Sequence, residues 1–219
     1  MAKDWKGNSR AAQYSLAAKK ADSNSVREQD DFYATDPEAL EKLLQSCSYW
    51  LHNQLCRTKS AEIGKLYDHI PGYIWECACG NGNLVDVLNK NGFKVIASDL
   101  KDRGYGMTGI DFLHTTESYG NIILTNPPYS LANEFILHAL DILPYAGLYI
   151  ALMNVNTLAG IERYKKIFST GVLREVYVFS KRIGCWKNNV RDDQKAHIIN
   201  YAWFVFQKGF QGQPTLYWL

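Results

Sequence analysis

A regular alternation of short apolar strands with amphipathic helices is the feature that most constrains this fold. It begins near residue 73, and the links between elements are short. The predicted strands are residues 73–78, 94–98, 121–125, 148–153, 172–179 and 201–206, and the predicted helices are residues 83–91, 131–143 and 158–169. This alternation predicts an α/β fold with a doubly wound, mainly parallel sheet. Because the last two strands lack room for a full crossover helix, we expect them to form an antiparallel hairpin at one edge.

The chain is long enough for one such domain. It has 219 residues, of which 47% are hydrophobic, and this composition supports a sizeable core. Residues 1–30 are polar and only weakly periodic, so we expect a flexible N-terminal arm there. The remaining residues, 31–219, are interpreted as a single domain.

A first helix is predicted just before the alternation begins. Pro37 suits a first helical turn, and the helix is expected to run to about residue 47. Thr35 or Asp36 can cap it, and Glu38 completes a capping-box pattern with Thr35. Residues 50–71 are interpreted as an irregular stretch.

Membrane, secreted and zinc proteins are disfavoured by the sequence. No apolar run reaches the roughly 18 residues of a membrane span, and the N-terminus lacks the apolar stretch of a secretory signal. We therefore expect a cytoplasmic protein that does not bind membranes. Two cysteines stand two positions apart, but no second pair follows at zinc spacing, so we expect no metal site and interpret the cysteines as buried thiols. They are Cys47, Cys56, Cys77, Cys79 and Cys185.

The chain as a whole is not strongly basic, so a nucleic acid could bind only at a local basic patch. The net charge is only +2. One candidate is the N-terminal arm, and the other is residues 180–195, which combine several cations with a tryptophan. On charge alone, a solvated surface explains either segment more simply. The residues of interest in the second segment are Lys181, Arg182, Trp186, Lys187 and Arg191.

A glycine-containing loop follows the first strand of the alternation. It runs from Glu76 through Cys77 to Gly80 and Gly82, and it leads into a helix. Open α/β sheets bind their ligands at this position, and glycine lets the backbone approach a ligand closely. Val85 replaces the third glycine of a dinucleotide fingerprint, and no phosphate-loop motif is present. The loop alone is therefore weak evidence for any particular ligand.

Two acidic residues further along the chain are also candidates. Asp99 ends the second strand, where a carboxylate can accept the hydroxyls of a ribose or cap a turn. Asp111 precedes Phe112, so that a hydrogen-bond acceptor stands beside an aromatic ring. This pair suits an adenine, although the pair by itself is explained more simply by a structural role.

The most informative motif is Asn126-Pro127-Pro128-Tyr129, directly after an apolar strand. Two prolines fix the backbone and remove two N–H donors, which leaves carbonyl groups as acceptors. Asn126 adds a side-chain carbonyl, and Tyr129 adds a face on which a planar group can stack. The motif therefore suits a planar substrate that carries an amino group.

Taken together, these motifs resemble those of the Rossmann-like amino-methyltransferases of DNA, in particular the small adenine-specific type found in bacteriophages. The resemblance covers residues 31 to 209. It implies a Rossmann-like methyltransferase fold, S-adenosylmethionine as the cofactor, and methyl transfer to the 6-amino group of a flipped adenine in DNA. It also implies a catalytic domain without a separate target-recognition domain, present as a monomer or weak homodimer and, if phage-encoded, in a bacterial host cell.

The resemblance also assigns roles to single residues. Residues 31–37 look like the segment that touches the methionine end of the cofactor, Asp99 would take the ribose hydroxyls, and Asp111 with Phe112 would take the adenine. Residues 179–183 and 197–203 resemble segments that flank the target-base pocket. The catalytic residues implied are Asn126, Pro127, Pro128 and Tyr129. The cofactor-binding residues implied are Tyr33, Thr35, Glu76, Cys77, Gly80, Gly82, Asp99, Leu100, Asp111, Phe112 and Asn126.

The chemistry implied is positioning and electrostatics without a covalent intermediate. Asn126 Oδ1 and the Pro127 carbonyl would accept the two hydrogens of the adenine amino group, and the flipped base would stack on Tyr129. Methylation of cytosine carbon 5 is excluded, since that reaction uses a cysteine after a proline and none of the six prolines precedes a cysteine. Two alternatives stay open: adenine in RNA or a glutamine amide as the substrate, and a binding protein without catalysis. DNA contacts are expected from the basic segment of residues 180–195, from residues 50–71 and from the N-terminal arm.

Overall fold

The computed structural model describes residues 33–59, 72–181, 183, 185–187 and 199–219. Within them the strands are β1 (Tyr33–Thr35), β2 (Ile74–Glu76), β3 (Val95–Asp99), β4 (Met107–Thr108), β5 (Ile122–Thr125), β6 (Leu148–Asn154), β7 (Leu173–Val178), β8 (Cys185–Lys187), β9 (Tyr201–Gln207) and β10 (Thr215–Trp218). The α-helices are α1 (Pro37–Ser46), α2 (Tyr49–Cys56), α3 (Asn83–Lys90), α4 (Ala132–Ile142) and α5 (Ile161–Lys166). The expected arm, residues 1–30, lies outside this part of the chain.

Eight of these strands form one sheet, in the order β10-β7-β9-β6-β5-β2-β3-β4. All of them run parallel except β9, which pairs antiparallel with both β6 and β7. The predicted α/β fold with a mainly parallel sheet is therefore confirmed, as is antiparallel pairing near one edge. One difference is that β10, which the sequence analysis did not identify, lies outside β7 as the edge strand. A separate two-stranded sheet joins β1 to β8.

Helices cover both faces of the large sheet. On one face, α1, α2 and α3 insert their leucines over β2, β5 and β6, and Trp203 of β9 is fully buried there. The indole Nε1 of Trp203 donates to the carbonyl oxygen of Ala39 in α1 at 2.9 Å. On the other face, α4 packs Phe135 and Ile136 against Trp75 and Ile123. Because the central strands are buried on both faces, their sequences are almost entirely apolar.

The strand order reverses direction next to β2, and this reversal positions the candidate site. From β2 the chain moves outward to β3 and β4, and it then returns to place β5 on the other side of β2. The loops that follow β2 and β5 therefore leave neighbouring strands at the same edge of the sheet. This is the crevice in which open α/β sheets bind ligands.

The helix predicted for residues 158–169 is wrong at both ends. The α-helix covers only Ile161–Lys166, with 3₁₀ turns at Val155–Leu158 and Phe168–Thr170. Gly160 has φ 123°, which no α-helix allows, and Ile167 has left the helical region at φ −122°. The helical pattern in the sequence is therefore interrupted by the backbone on either side.

The start of α1 and the stretch after it also differ from expectation. Asp36 alone caps α1, since its Oδ1 accepts from the Glu38 N–H at 3.0 Å, and Thr35 belongs to β1. The capping box between Thr35 and Glu38 is therefore wrong. Part of the expected irregular stretch forms α2, which Ser48 caps by accepting from the Leu51 N–H at 3.1 Å.

Candidate active site

The glycine loop between β2 and α3 adopts the left-handed backbone that its sequence predicts. Gly80 has φ 56° and Gly82 has φ 88°. A Cβ atom on Gly82 would lie 2.3 Å from the ring of Tyr105, so the ring itself requires glycine at this position. The Tyr105 hydroxyl donates to Asp86 Oδ1 in α3 at 2.8 Å. The loop that follows β3 thus folds back over the glycine loop.

Asp99 ties the end of β3 to this glycine loop. Its Oδ2 accepts from the Gly80 N–H at 2.8 Å, and its Oδ1 accepts from the Lys101 N–H at 2.9 Å. The side chain is buried. A carboxylate oxygen has further acceptor capacity, so this turn-capping role and the predicted role toward a ribose are compatible.

Glu76, at the end of β2, is a second buried carboxyl group beside Asp99. Burial is the main cause that raises its pKa from 4.5 to about 8, and the charge of Asp99 adds to the effect. Hydrogen bonds from Thr125 and from the Ala78 N–H lower the pKa but offset only part of this rise. Two buried acidic groups at one sheet edge are typical of a site that receives a positively charged ligand.

The thiols in the same loop are unsuited to nucleophilic chemistry. Burial raises the pKa of Cys77 well above its ordinary value, and it raises the pKa of Cys79 to about 12, with Glu76 and Asp99 adding to both shifts. A thiol acts as a nucleophile only as a thiolate. Cys77 and Cys79 are buried as expected, whereas Cys47 and Cys56 are only partly buried, and all four are free thiols.

Asn126, directly after β5, is held by the short strand β1. Its Nδ2 donates to Thr35 Oγ1 at 2.8 Å, which fixes the orientation of the amide. The same Thr35 accepts from Asn83 Nδ2 through its carbonyl oxygen at 2.9 Å. Asn83 opens α3, immediately after the glycine loop. Thr35 therefore joins the catalytic candidate to the loop predicted to bind the cofactor.

The rest of the tetrapeptide forms the wall beside Asn126. Pro127 is buried, Pro128 is half-buried, and Tyr129 begins the 3₁₀ turn Tyr129–Leu131. The Tyr129 ring is half-buried, with its centroid 5.8 Å from that of Tyr201 and the two planes at 35°. Tyr201 lies at the start of β9, within the segment expected to flank the target base.

Four further cofactor candidates lie around this site or near it in the chain. Asp111 caps the turn Phe112–His114, and its Oδ2 lies 2.7 Å from His114 Nδ1. The Phe112 ring is 2% exposed and packs in the core against Trp75, so its face is not open to a ligand. Leu100 is exposed beside Asp99. The backbone of Tyr33 lies in β1, two residues before Thr35.

The basic segment predicted to bind DNA is described only in part. Lys181 is exposed, and Trp186 and Lys187 lie in β8. In the register of the small sheet, Thr35 lies opposite Cys185 and Ala34 opposite Trp186. The backbone of this segment is therefore joined through β1 to the residue that holds Asn126. Arg182 and Arg191 lie outside the described residues.

Three residues of this region were missed by sequence analysis: Asn83, Tyr105 and Arg163. The dense glycines around Tyr105 were the available signal for a close-packed loop, since Gly104, Gly106 and Gly109 all have positive φ. The side chains of Asn83 and Arg163 gave no signal. Within the described residues, no group of three or more His, Cys, Asp or Glu side chains is placed to hold a metal ion. No helix there is long and apolar enough to cross a membrane.

Comparisons with known proteins bear on the fold. No family model and no curated protein matches the chain. Among solved structures, a putative class I S-adenosylmethionine-dependent methyltransferase from Listeria monocytogenes is 13% identical with a TM-score of 0.53, over 94% of this chain and 71% of that one. A DrdV–DNA complex is 11% identical with a TM-score of 0.60, over 88% of this chain and 28% of that one. The type IIG restriction endonuclease BpuSI is 15% identical with a TM-score of 0.57, over 82% of this chain and 26% of that one.

The chain thus spans about a quarter of the length of the last two proteins, and these identities bear on the fold alone. The order of the strands in the sheet, the position of the site at the strand ends and the first of these neighbours all indicate the same fold. The protein has the fold of class I S-adenosylmethionine-dependent methyltransferases.

Proposed function

We propose that this protein is an S-adenosylmethionine-dependent methyltransferase that acts on the 6-amino group of adenine in DNA. One observation carries the proposal. The amide of Asn126 is fixed at the end of β5 by Thr35, which is itself bonded to the first residue after the glycine loop. An acceptor for an amino group is thereby held next to the loop that would hold the cofactor.

The residues around the glycine loop fit the charge of this cofactor. Glu76 and Asp99 supply two buried carboxyl groups for a ligand that carries an ammonium and a sulfonium. In this proposal Asp99 accepts the ribose hydroxyls, and Asp111 accepts from the adenine amino group of the cofactor. When bound, the cofactor would supply a methyl group on a positively charged sulfur.

The tetrapeptide would prepare the target nitrogen for transfer. The lone pair of an exocyclic adenine nitrogen is delocalised into the ring, so the nitrogen is a poor nucleophile. If Asn126 Oδ1 and the Pro127 carbonyl accept its two hydrogens, the nitrogen moves toward tetrahedral geometry and its lone pair becomes available. Because Nδ2 of Asn126 is committed to Thr35, the amide presents its oxygen as the acceptor. This is catalysis by orientation and fixed dipoles.

DNA is favoured as the substrate by three features. The tetrapeptide resembles that of the amino-methyltransferases of DNA, and a structural neighbour was determined in a complex with DNA. The segment that contains Trp186 and Lys187 is joined to Thr35 through β1. We propose that Lys181, Arg182, Trp186, Lys187 and Arg191 contact the DNA around a flipped base that stacks on Tyr129.

Transfer of a tritiated methyl group tests the proposal. The full chain is incubated with labelled S-adenosylmethionine and, in separate reactions, with DNA from a methylation-deficient host, with total RNA and with a protein extract. Label in DNA is expected, and digestion to nucleosides should place it in N6-methyladenine. Asn126→Ala, which keeps the glycine loop and Asp99, should lose the transfer and still bind the cofactor in calorimetry.

Other outcomes would overturn the proposal. Label confined to RNA or to protein would change the substrate, and cofactor binding without transfer to any of the three would indicate a binding protein. Full activity of Asn126→Ala would remove the tetrapeptide from the chemistry.

A further inference from the structure

Three large apolar side chains stand exposed after β6, and the chemistry proposed above uses none of them. Leu158, Ile161 and Tyr164 are 40%, 69% and 61% exposed. Ile161 and Tyr164, three positions apart in α5, lie on the same side of the helix. We call these three residues, together with Lys165 and Lys166, the α5 surface.

The apolar residues of the α5 surface do not anchor this segment to the protein. That role belongs to Thr157 and Ile167, which are buried on either side of α5. Isolated exposed apolar residues are ordinary, but several large ones within one short segment typically mark a contact with a partner.

The segment lies at the same edge of the sheet as Asn126. Strands β5 and β6 are parallel neighbours with Thr125 opposite Ala151, so the chains that leave their ends run side by side. The Val155 N–H also donates to the Asn200 carbonyl at 2.8 Å, directly before the start of β9. The α5 surface therefore borders the place where a target base would enter.

Arg163 fixes the α5 surface relative to the tetrapeptide. Its Nε donates to Asn133 Oδ1 at 2.7 Å, and Asn133 stands in the first turn of α4, four residues after Tyr129. Its Nη1 donates to the carbonyl oxygens of Thr157 and Ala159 at 3.0 and 2.7 Å. Because its guanidinium makes these bonds within the protein, Arg163 holds α5 in place and is not counted among the residues that contact a partner.

The net positive charge of α5 favours a negatively charged partner. The helix carries Arg163, Lys165 and Lys166 against a single acid, Glu162. Lys165 lies 3.5 Å from Glu162, but both side chains are more than 60% exposed, so this pair is weak and easily exchanged. Cations beside exposed aromatic and aliphatic side chains match a nucleic-acid strand, whose phosphates take the cations and whose unstacked bases take the apolar groups.

We propose that the α5 surface binds the DNA strand next to the flipped adenine. Tyr164 and Ile161 pack against the bases that lose their neighbour when the adenine leaves the stack, and Lys165 and Lys166 neutralise the adjoining phosphates. This inference rests on the proposed function, because it requires a base to be extruded into the site beside Asn126.

Two double variants of the full chain separate the apolar and ionic contributions. The probe is a fluorescein-labelled duplex with one unpaired adenine, and binding is followed by anisotropy in the presence of S-adenosylhomocysteine. I161S/Y164A should weaken binding roughly tenfold at every salt concentration, since loss of stacking is independent of counterions. K165A/K166A should lower the slope of log affinity against log salt by about 1–2. Tyr49→Ala, which removes an 84% exposed tyrosine near the start of β7, is the matched control and should change neither quantity.

Cofactor affinity and methyl transfer by the wild-type chain, measured in parallel, keep the two proposals apart. An active wild type whose duplex affinity and salt slope are unchanged by both double variants overturns this inference alone. A wild type that methylates no DNA overturns the proposed function. If the label enters a protein, and I161S/Y164A loses that labelling, the α5 surface is a protein-docking site and the DNA inference is wrong.

Discussion

If Glu76 contacts the cofactor, as proposed above, its raised pKa makes cofactor binding depend on pH. Burial beside Asp99 raises its pKa to about 8, so at pH 7 the carboxyl group is mostly protonated in the free protein. A ligand with an ammonium and a sulfonium favours the ionised form, and its binding therefore releases a proton from Glu76. Below the raised pKa, the apparent affinity should rise about tenfold for each pH unit, and it should level off above about pH 8.

Isothermal titration calorimetry of the full chain with S-adenosylmethionine at pH 6, 7 and 8 measures this dependence. Repeating the titration in buffers of different ionisation enthalpy counts the protons released. Glu76→Gln mimics the protonated state, so its affinity should be low and nearly independent of pH. An affinity in the wild type that changes less than about twofold between pH 6 and pH 7 would refute the reasoning.

The carboxyl group of Glu76 also makes the stability of the free protein depend on pH, and its raised pKa gives the direction of that dependence. The protonated form is favoured in the folded state, so the contribution of Glu76 to the free energy of unfolding is fully present below its ordinary pKa of 4.5. That contribution is lost as the pH rises to about 8. In urea unfolding without cofactor, Glu76→Gln should therefore lose less stability than the wild type between pH 5 and pH 8. A parallel decline of the two proteins would contradict the assignment.

Three further substitutions test the geometry of the site. Thr35→Val removes the acceptor of Asn126 Nδ2 at almost unchanged volume, so kcat should fall roughly tenfold or more. Thr35→Ser keeps the hydroxyl group and should retain activity, and initial rates of methyl transfer measure both variants. Asp99→Ala should weaken cofactor binding at least about tenfold in calorimetry, since a charge-assisted acceptor is lost; an unchanged affinity would place the cofactor elsewhere. Gly82→Ala sets a methyl group against the Tyr105 ring and should destabilise the fold by about 1–3 kcal/mol in thermal or urea unfolding, whereas wild-type stability would show that the ring moves freely.

Sequence reasoning succeeded where burial leaves a pattern in the residues. Strands β5 and β6 are buried on both faces, so their apolar runs were visible, and the helix that follows β5 was bounded by ordinary signals. Strands β4 and β10 are mostly exposed and leave no such pattern, because pairing with a neighbouring strand stabilises them. The length of α5 was overestimated since the positive φ of Gly160 cannot be seen in the sequence.

The same distinction applies to the candidate site, where some features follow a local sequence pattern and others depend on contacts between distant residues. The sequence predicted the positions of Asp99, at the end of β3, and Asn126, directly after β5, because parallel strands bring their ends to one edge. The bond between Asn126 and Thr35 joins residues 91 positions apart, and no local pattern announces it. The burial of the Phe112 ring was also not visible in the sequence: its neighbour Asp111 suggested an open aromatic face, but packing against Trp75 and α4 places the ring in the core.

The position of β9 has a consequence for how the protein is made. This strand leaves the ribosome later than both of its neighbours in the sheet, β6 and β7, yet it lies between them and is the antiparallel member that joins them. Until residue 207 has emerged, β6 presents an unpaired and mainly apolar edge, which is the kind of surface on which nascent chains aggregate. A ribosome-bound chain halted before β9 therefore has the tetrapeptide but an incomplete sheet, and nascent-chain binding of labelled cofactor should appear only after β9 is released.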